Sequence, residues 1–254
     1  MVSRAKGTGV TSFDYNINVA VIGASGGIGG AIANTIETNL EGSRVFRLSR
    51  SNLSNRASER CFHLDLENET TIRSSAAKIA RLAAELHIII VATGILHEGE
   101  NLLPEKSWSA LSYDSLERVF RINTIGPALV AKHFLPLLAK DRKTVFAALS
   151  ARVGSIDDNR LGGWYGYRAS KAALNMIIKS LSIELARRRP LAICVGLHPG
   201  TVDTALSQPY KRGVTKGSVF TPKRAAENLL QVLETLKPTD SGGLIAWDGS
   251  QVPS

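Results

Sequence analysis

The sequence predicts a single doubly wound α/β domain, a parallel sheet with helices on both faces. Three observations predict it. Short apolar runs alternate with amphipathic stretches along most of the chain. The runs are continuous rather than alternately polar and apolar, as expected of strands covered on both faces. And 254 residues at 44% hydrophobic suit one large domain with a buried core.

The elements follow in order. Asn18 to Ile22 reads as the first strand, followed by a helix through Leu40. Arg44 to Leu48 and Cys61 to Leu64 are strands, a helix runs from about Thr70 to Leu86, and Ile88 to Ala92 is the fourth strand. A helix from about Ser112 to Leu138, a strand Thr144 to Leu149, a helix through Arg188 and a strand Leu191 to Leu197 continue the pattern. The last pair is a helix Thr221 to Leu236, with Thr221 and Pro222 as N-cap and first helical residue, and a strand Leu244 to Trp247. Residues 1–16 are polar, lack the apolar core of a secretory signal, and read as a loose tail ahead of a domain spanning 17–254. The stretch ALSQPYKRGVTKGSVF, Ala205 to Phe220, is longer than an ordinary βα connection. It would lie over the carboxyl ends of the strands, where it reads as a substrate lid.

Composition narrows the function. The net charge is +9, but Arg and Lys are spread along the chain, so no nucleic-acid partner is expected. The densest run, Arg187-Arg188-Arg189, ends a helix, where cations suit the dipole. No apolar run approaches the ~20 residues that cross a bilayer, so no membrane partner is expected. Cys61 and Cys194 form no disulfide framework and have no zinc-ligand spacing, and the five histidines are scattered. A reducing cytoplasm is the expected location, and no metal site is expected.

The stretch VAVIGASGGIGGAIA puts Gly23, Gly27 and Gly29 directly after the first strand, with Ser25, Gly26 and Ile28 between them. Glycines there let backbone N–H groups at the positive end of a helix approach a pyrophosphate. The spacing is Gly-x-x-x-Gly-x-Gly. The second strand ends Arg47-Leu48-Ser49-Arg50, where an NAD-selective site usually carries an acid for the ribose 2′-hydroxyl. A serine and an arginine can instead bind a 2′-phosphate, so NADP(H) is the expected cofactor.

In GGWYGYRASKAALNM, Tyr167 and Lys171 are four apart and share a helix face, whereas Tyr165 has Ala169 at that spacing. A fixed cation beside a phenol stabilises the phenolate and should lower its pKa from ~10. Tyr167 is therefore the candidate acid/base.

Through these residues the chain resembles the short-chain dehydrogenase/reductase family from about Asn18 to Gly249. The resemblance rests on GASGGIG, Asp65-Leu66, Asn123 in FRINTIGP, YRASK and HPGTVDT. LHEGENLLPEKSW, SARVGSIDDN and YRASKAALNM look most like the C-factor branch and small carbonyl reductases. The resemblance implies a Rossmann fold and an oxidoreductase acting on a small carbonyl or alcohol. In it Tyr167 would exchange a proton with the substrate oxygen, Lys171 would assist the phenol and hold the nicotinamide ribose, and Asn123 would position a water. Asp65 and Leu66 would contact the adenine. Val202 and Thr204 would hold the carboxamide, with Pro199 and Gly200 beside them in the cofactor site. A homodimer or homotetramer is implied, paired through the helices that carry Asn123 and Tyr167.

Two departures stand out. The family's Asn-Asn-Ala-Gly is Val91-Ala92-Thr93-Gly94 here, so Thr93 would partly substitute and Gly94 would keep the close approach to the cofactor. The position expected to hold a substrate-binding serine, three before Gly154, is Ala151. Ser150 is the chosen replacement, re-aimed by a bulge, and Ser155 is the second candidate. A dinucleotide-binding signalling protein of the C-factor kind, with little turnover, is the alternative to an enzyme.

Overall fold

A computed structural model describes residues 16–51, 59–210 and 218–254. All of the expected tail but Asn16, and residues 211–217 of the expected lid, lie outside them.

The first half is strand β1 (Asn18–Ile22), helix α1 (Gly27–Asn39), β2 (Arg44–Ser49), β3 (Cys61–His63), α2 (Glu69–Leu82), β4 (Ile88–Val91), α3 (Tyr113–Phe120) and α4 (Gly126–Phe134). The second is β5 (Thr144–Leu149), α5 (Tyr165–Arg188), β6 (Ala192–His198), β7 (Thr201–Val202), β8 (Val219–Phe220), α6 (Pro222–Thr235), β9 (Leu244–Ala246) and β10 (Gln251–Val252). Among the described residues, eight strands form one sheet in the order β10-β9-β6-β5-β4-β1-β2-β3, in which only the β9–β10 pairing is antiparallel. This is a Rossmann-type doubly wound sheet. The crossover lies between β1 and β4, the place where such sheets bind ligands.

Strand alternation builds two cores. Ala20, Ile22, Phe146 and Ala148 face one layer, with Ile72 and Ile79 of α2, Val130 and Phe134 of α4, and Leu174 and Ile178 of α5. Val19, Val21, Val145 and Ala147 face the other, with Ile32 and Ile36 of α1 and Leu229 and Leu233 of α6. Successive strand residues point to opposite faces, so continuous apolar strands feed both layers at once. Helix starts follow local chemistry: Asn68 caps α2, Ser112 caps α3 and Thr221 caps α6, each accepting a backbone N–H from the first turn.

Two expected elements differ. The single helix expected over 112–138 is broken by a π-helical turn at Arg121–Ile125 between α3 and α4. The last strand stops at Ala246, and the chain turns back through Gly249, at φ 84, to add β10.

Candidate active site

The carboxyl ends of β1, β2, β4 and β5 open onto one groove made of two cavities that share Gly26, Ala92, Thr93 and Gly94. The first, about 330 Å³, is lined by Gly23, Ser25, Ser49, Arg50, Asp65 and Leu66 among others. The second, about 310 Å³, includes Gly27, Ile28, Ser150, Tyr167, Lys171, Pro199 and Thr204 in its walls.

At the base of the groove, Gly23 has φ +86, and a Cβ there would lie 2.7 Å from the Ala92 carbonyl oxygen. Gly29 is packed so closely on Gly23 that a side chain would collide with its carbonyl. Helix α1 starts at Gly26 without a side-chain cap, leaving the N–H groups at its positive end to whatever fills the groove. Thr93 Oγ1 is buried and unpartnered among the described residues, a hydroxyl aimed at no protein acceptor. A bare glycine cradle, an uncapped helix start and an orphan hydroxyl fit a dinucleotide.

Tyr167 stands on the first turn of α5, one turn before Lys171, whose Nζ is 5.8 Å from the tyrosine ring centre. The lysine is 2% exposed and donates to the Leu149 carbonyl at 2.8 Å. Burial pushes the Tyr167 phenol up to about 12 and the Lys171 ammonium down to about 8. The expected lowering of the phenol is therefore not met in the protein alone, because burial disfavours the charged phenolate.

Asn123 sits in the π-helical turn and is fully buried. Its amide accepts from Ile95 N–H at 2.8 Å, donates to Ile95 O at 2.9 Å, and reaches Ser170 Oγ at 3.1 Å. The turn thereby ties the loop after β4 to α5, in keeping with the frequency of π-turns at functional sites. A Cβ on Gly94 would lie 3.5 Å from both Asn123 Oδ1 and Lys171 Nζ, so both side chains approach Gly94.

The two candidate serines separate. Ser150 continues the ladder with β6, donating its N–H to Leu197 O at 2.8 Å. Ordinary alternation puts it on the α5 face with Ala148, and its hydroxyl donates to Asn175 Oδ1 at 2.7 Å. No bulge is needed to aim it. Ser155 instead donates to the Ser254 carbonyl at 3.1 Å and accepts from Asp158 N–H at 3.0 Å, and it lines neither cavity. Gly200 and Val202 also lie outside both linings. Gly200, at φ +76, packs on the Phe220 and Trp247 rings, and Val202 pairs with Phe220 between β7 and β8.

Sequence reasoning missed three groups. Arg118 and Glu98 line the first cavity; Arg118 forks onto both Glu98 oxygens at 3.0 Å and also binds Glu67, which holds its guanidinium firmly charged. Glu67 in turn lies 4.0 Å from Arg50. Tyr210 joins Trp164 and His97 in an aromatic cluster outside both linings, with ring centres 5.2 and 5.7 Å away. Glu105 is buried against the start of α5. None has a local motif; each acts through partners distant in sequence.

Residues 18–214 match the family model described as short chain dehydrogenase. The chain belongs to that family. It is thus one of a family of oxidoreductases that use a nicotinamide dinucleotide and act on small molecules. The 1-hydroxy-2-glutathionyl-2-methyl-3-butene dehydrogenase of Rhodococcus sp. is 30% identical over 74% of this chain and 76% of its own. The C-signal protein of Myxococcus xanthus is 37% identical over 58% of this chain and 84% of its own. The NADPH-bound carbonyl reductase from chicken fatty liver superposes with a TM-score of 0.82 at 24% identity, covering 97% of this chain and all of that one. The carbonyl reductase Sniffer of D. melanogaster gives 0.79 at 23%, over 95% of this chain and 100% of its own. At those identities the two structures speak for the fold. Among the described residues no helix is long and apolar enough to cross a membrane, and no cluster of three metal-binding side chains occurs.

Proposed function

We propose that this short-chain dehydrogenase is an NADP(H)-dependent oxidoreductase that interconverts a carbonyl and an alcohol, with Tyr167 as the acid/base. The observation that carries the reading is the meeting of Tyr167, Lys171 and Ser150 in a cavity continuous with the glycine cradle. Bound there, the cofactor would supply or accept the hydride. Backbone N–H groups of Ser25 and of Gly27 to Gly29 would hold its pyrophosphate, Asp65 and Leu66 its adenine, and Thr93, Pro199 and Thr204 the nicotinamide half. Ser49 and Arg50 favour a 2′-phosphate: both line the first cavity, and Arg118 occupies the Glu67 carboxylate nearest Arg50.

The protein's own part is proton transfer and orientation. The Tyr167 phenol donates to the substrate oxygen as negative charge grows on it, and the Lys171 ammonium offsets the charge left on the phenolate. Ser150 would hold the same oxygen by turning its hydroxyl proton from Asn175 Oδ1, which accepts it at 2.7 Å, to the substrate. Asn123, anchored on Ile95, keeps the loop after β4 against α5. The cluster of His97, Trp164 and Tyr210, set against Tyr167 through the Trp164 ring, would favour an apolar or aromatic carbonyl compound. A second reading, a dinucleotide-binding signalling protein, draws on Ala151 and on the similarity to the C-signal protein.

The test is NADPH consumption with a panel of aldehydes, ketones and quinones. The expected result is turnover, faster with NADPH than NADH. Tight NADPH binding with no turnover would favour the signalling reading, and preference for NADH would remove the role given to Arg50.

A further inference from the structure

The helix that carries Tyr167 does not cap itself. Trp164, its N-cap residue, holds a left-handed backbone at φ 51, after Gly162 and Gly163 at φ 61 and 62, and offers no side-chain hydrogen bond. A residue with a Cβ is disfavoured there unless its surroundings hold it. The hold comes from Glu105, about 60 positions earlier in the chain, in the excursion between β4 and α3. Its carbonyl accepts the Trp164 N–H, and its carboxylate Oε2 accepts the Gly166 N–H at 3.1 Å.

Glu105 is 5% exposed and forms no ion pair with another described residue. An isolated carboxylate is costly to bury, and helix N–H groups with the positive end of the dipole behind them are what offset that cost. The fit is tight, since a Cβ on Gly166 would lie 2.8 Å from Glu105 Oε1. The residue after Gly166 is Tyr167, and the ring of Trp164 meets the Tyr167 ring edge-on at 6.3 Å. The same excursion carries His97, which bonds the Ala205 carbonyl at 3.1 Å. One residue therefore joins the excursion after β4 to the Trp164 turn through its carbonyl, and to the tyrosine's own turn through its side chain.

We propose that Glu105 is a positioning residue for Tyr167, fixing the first turn of α5 and with it the place of the phenol. The inference rests on Tyr167 being the acid/base. Misplacement by about 1 Å can cost on the order of 10²-fold in rate, so losing this contact should lower kcat while leaving the cofactor cradle alone.

The experiment compares Glu105→Ala, Glu105→Gln and Gly166→Ala with the wild type. Amide exchange is read at the start of α5 without cofactor, then kcat, KM and NADPH affinity. Glu105→Ala should speed exchange at Gly166 about tenfold or more and lower kcat about 10- to 100-fold, with the NADPH Kd held within about twofold. Glu105→Gln, which can still accept the Gly166 N–H, should recover most of both losses. Gly166→Ala keeps the carboxylate but pushes it away, so it should reproduce the kcat loss even if Glu105→Ala does not fold. Unchanged exchange at Gly166, unchanged kcat, or NADPH affinity falling in step with kcat would overturn the proposal. If the wild type itself reduces no carbonyl, the reading of Tyr167 fails, while the exchange data still decide whether Glu105 holds the turn.

Discussion

With Tyr167 as the proposed acid/base, the protonation of Tyr167 and Lys171 favours the reductive direction. With the phenol pushed up to about 12 and the ammonium down to about 8, both are protonated at neutral pH. That is the donating form, suited to carbonyl reduction. As pH rises through about 8, Lys171 loses its charge, and the phenolate left after proton transfer loses its stabilising neighbour. Reduction by NADPH should therefore hold up to about pH 8 and fall above it, as read from a pH–rate profile. A rate that climbs steadily through that range would contradict the assignment. Oxidation of the alcohol needs the phenolate and should shift to higher pH, since an oxidised nicotinamide beside the phenol favours ionisation.

At the scale of elements, the end of β5 carries the departure from the family pattern. Ser150 reaches the cavity because pairing with β6 runs on past Leu149, so plain alternation aims it at α5. Ser155 instead ties its loop to the chain's last residue. Ser150→Ala should lower kcat by about 10²- to 10³-fold with NADPH affinity retained, the usual cost of one oxyanion donor. Ser155→Ala should keep turnover and cost about 1 kcal/mol of stability, read as a lower Tm. A reversal of the two outcomes would move the substrate's hydrogen bond to the loop.

That strand end also marks the limit of what the sequence made legible. The strands of the parallel sheet could be read as apolar runs, and the glycine loop by its position after β1, because both are local patterns. The side chains that complete the site are held by distant partners: Glu105 by Gly166, Arg118 by Glu67 and Glu98, Ser150 by Asn175. The π-turn at Asn123 was invisible for the same reason. Residues 112–138 read as one helix, and what interrupts it is the anchoring of Asn123 on Ile95 and Ser170. The strand β10 was missed because two residues after a tight turn leave no periodicity to count.

Over the whole molecule, the sheet supplies rigidity and its carboxyl edge supplies function. Both cores pack against strands that are almost entirely buried, and the groove runs across the crossover between β1 and β4. The glycine loop, the strand ends and the start of α5 share one frame, which brings side chains distant in sequence together with little freedom to rearrange. The most direct test of this account is Tyr167→Phe, assayed for carbonyl reduction and for NADPH affinity. Its kcat should fall by about 10²- to 10⁴-fold with the NADPH Kd unchanged within about twofold; turnover equal to the wild type would rule Tyr167 out as the acid/base.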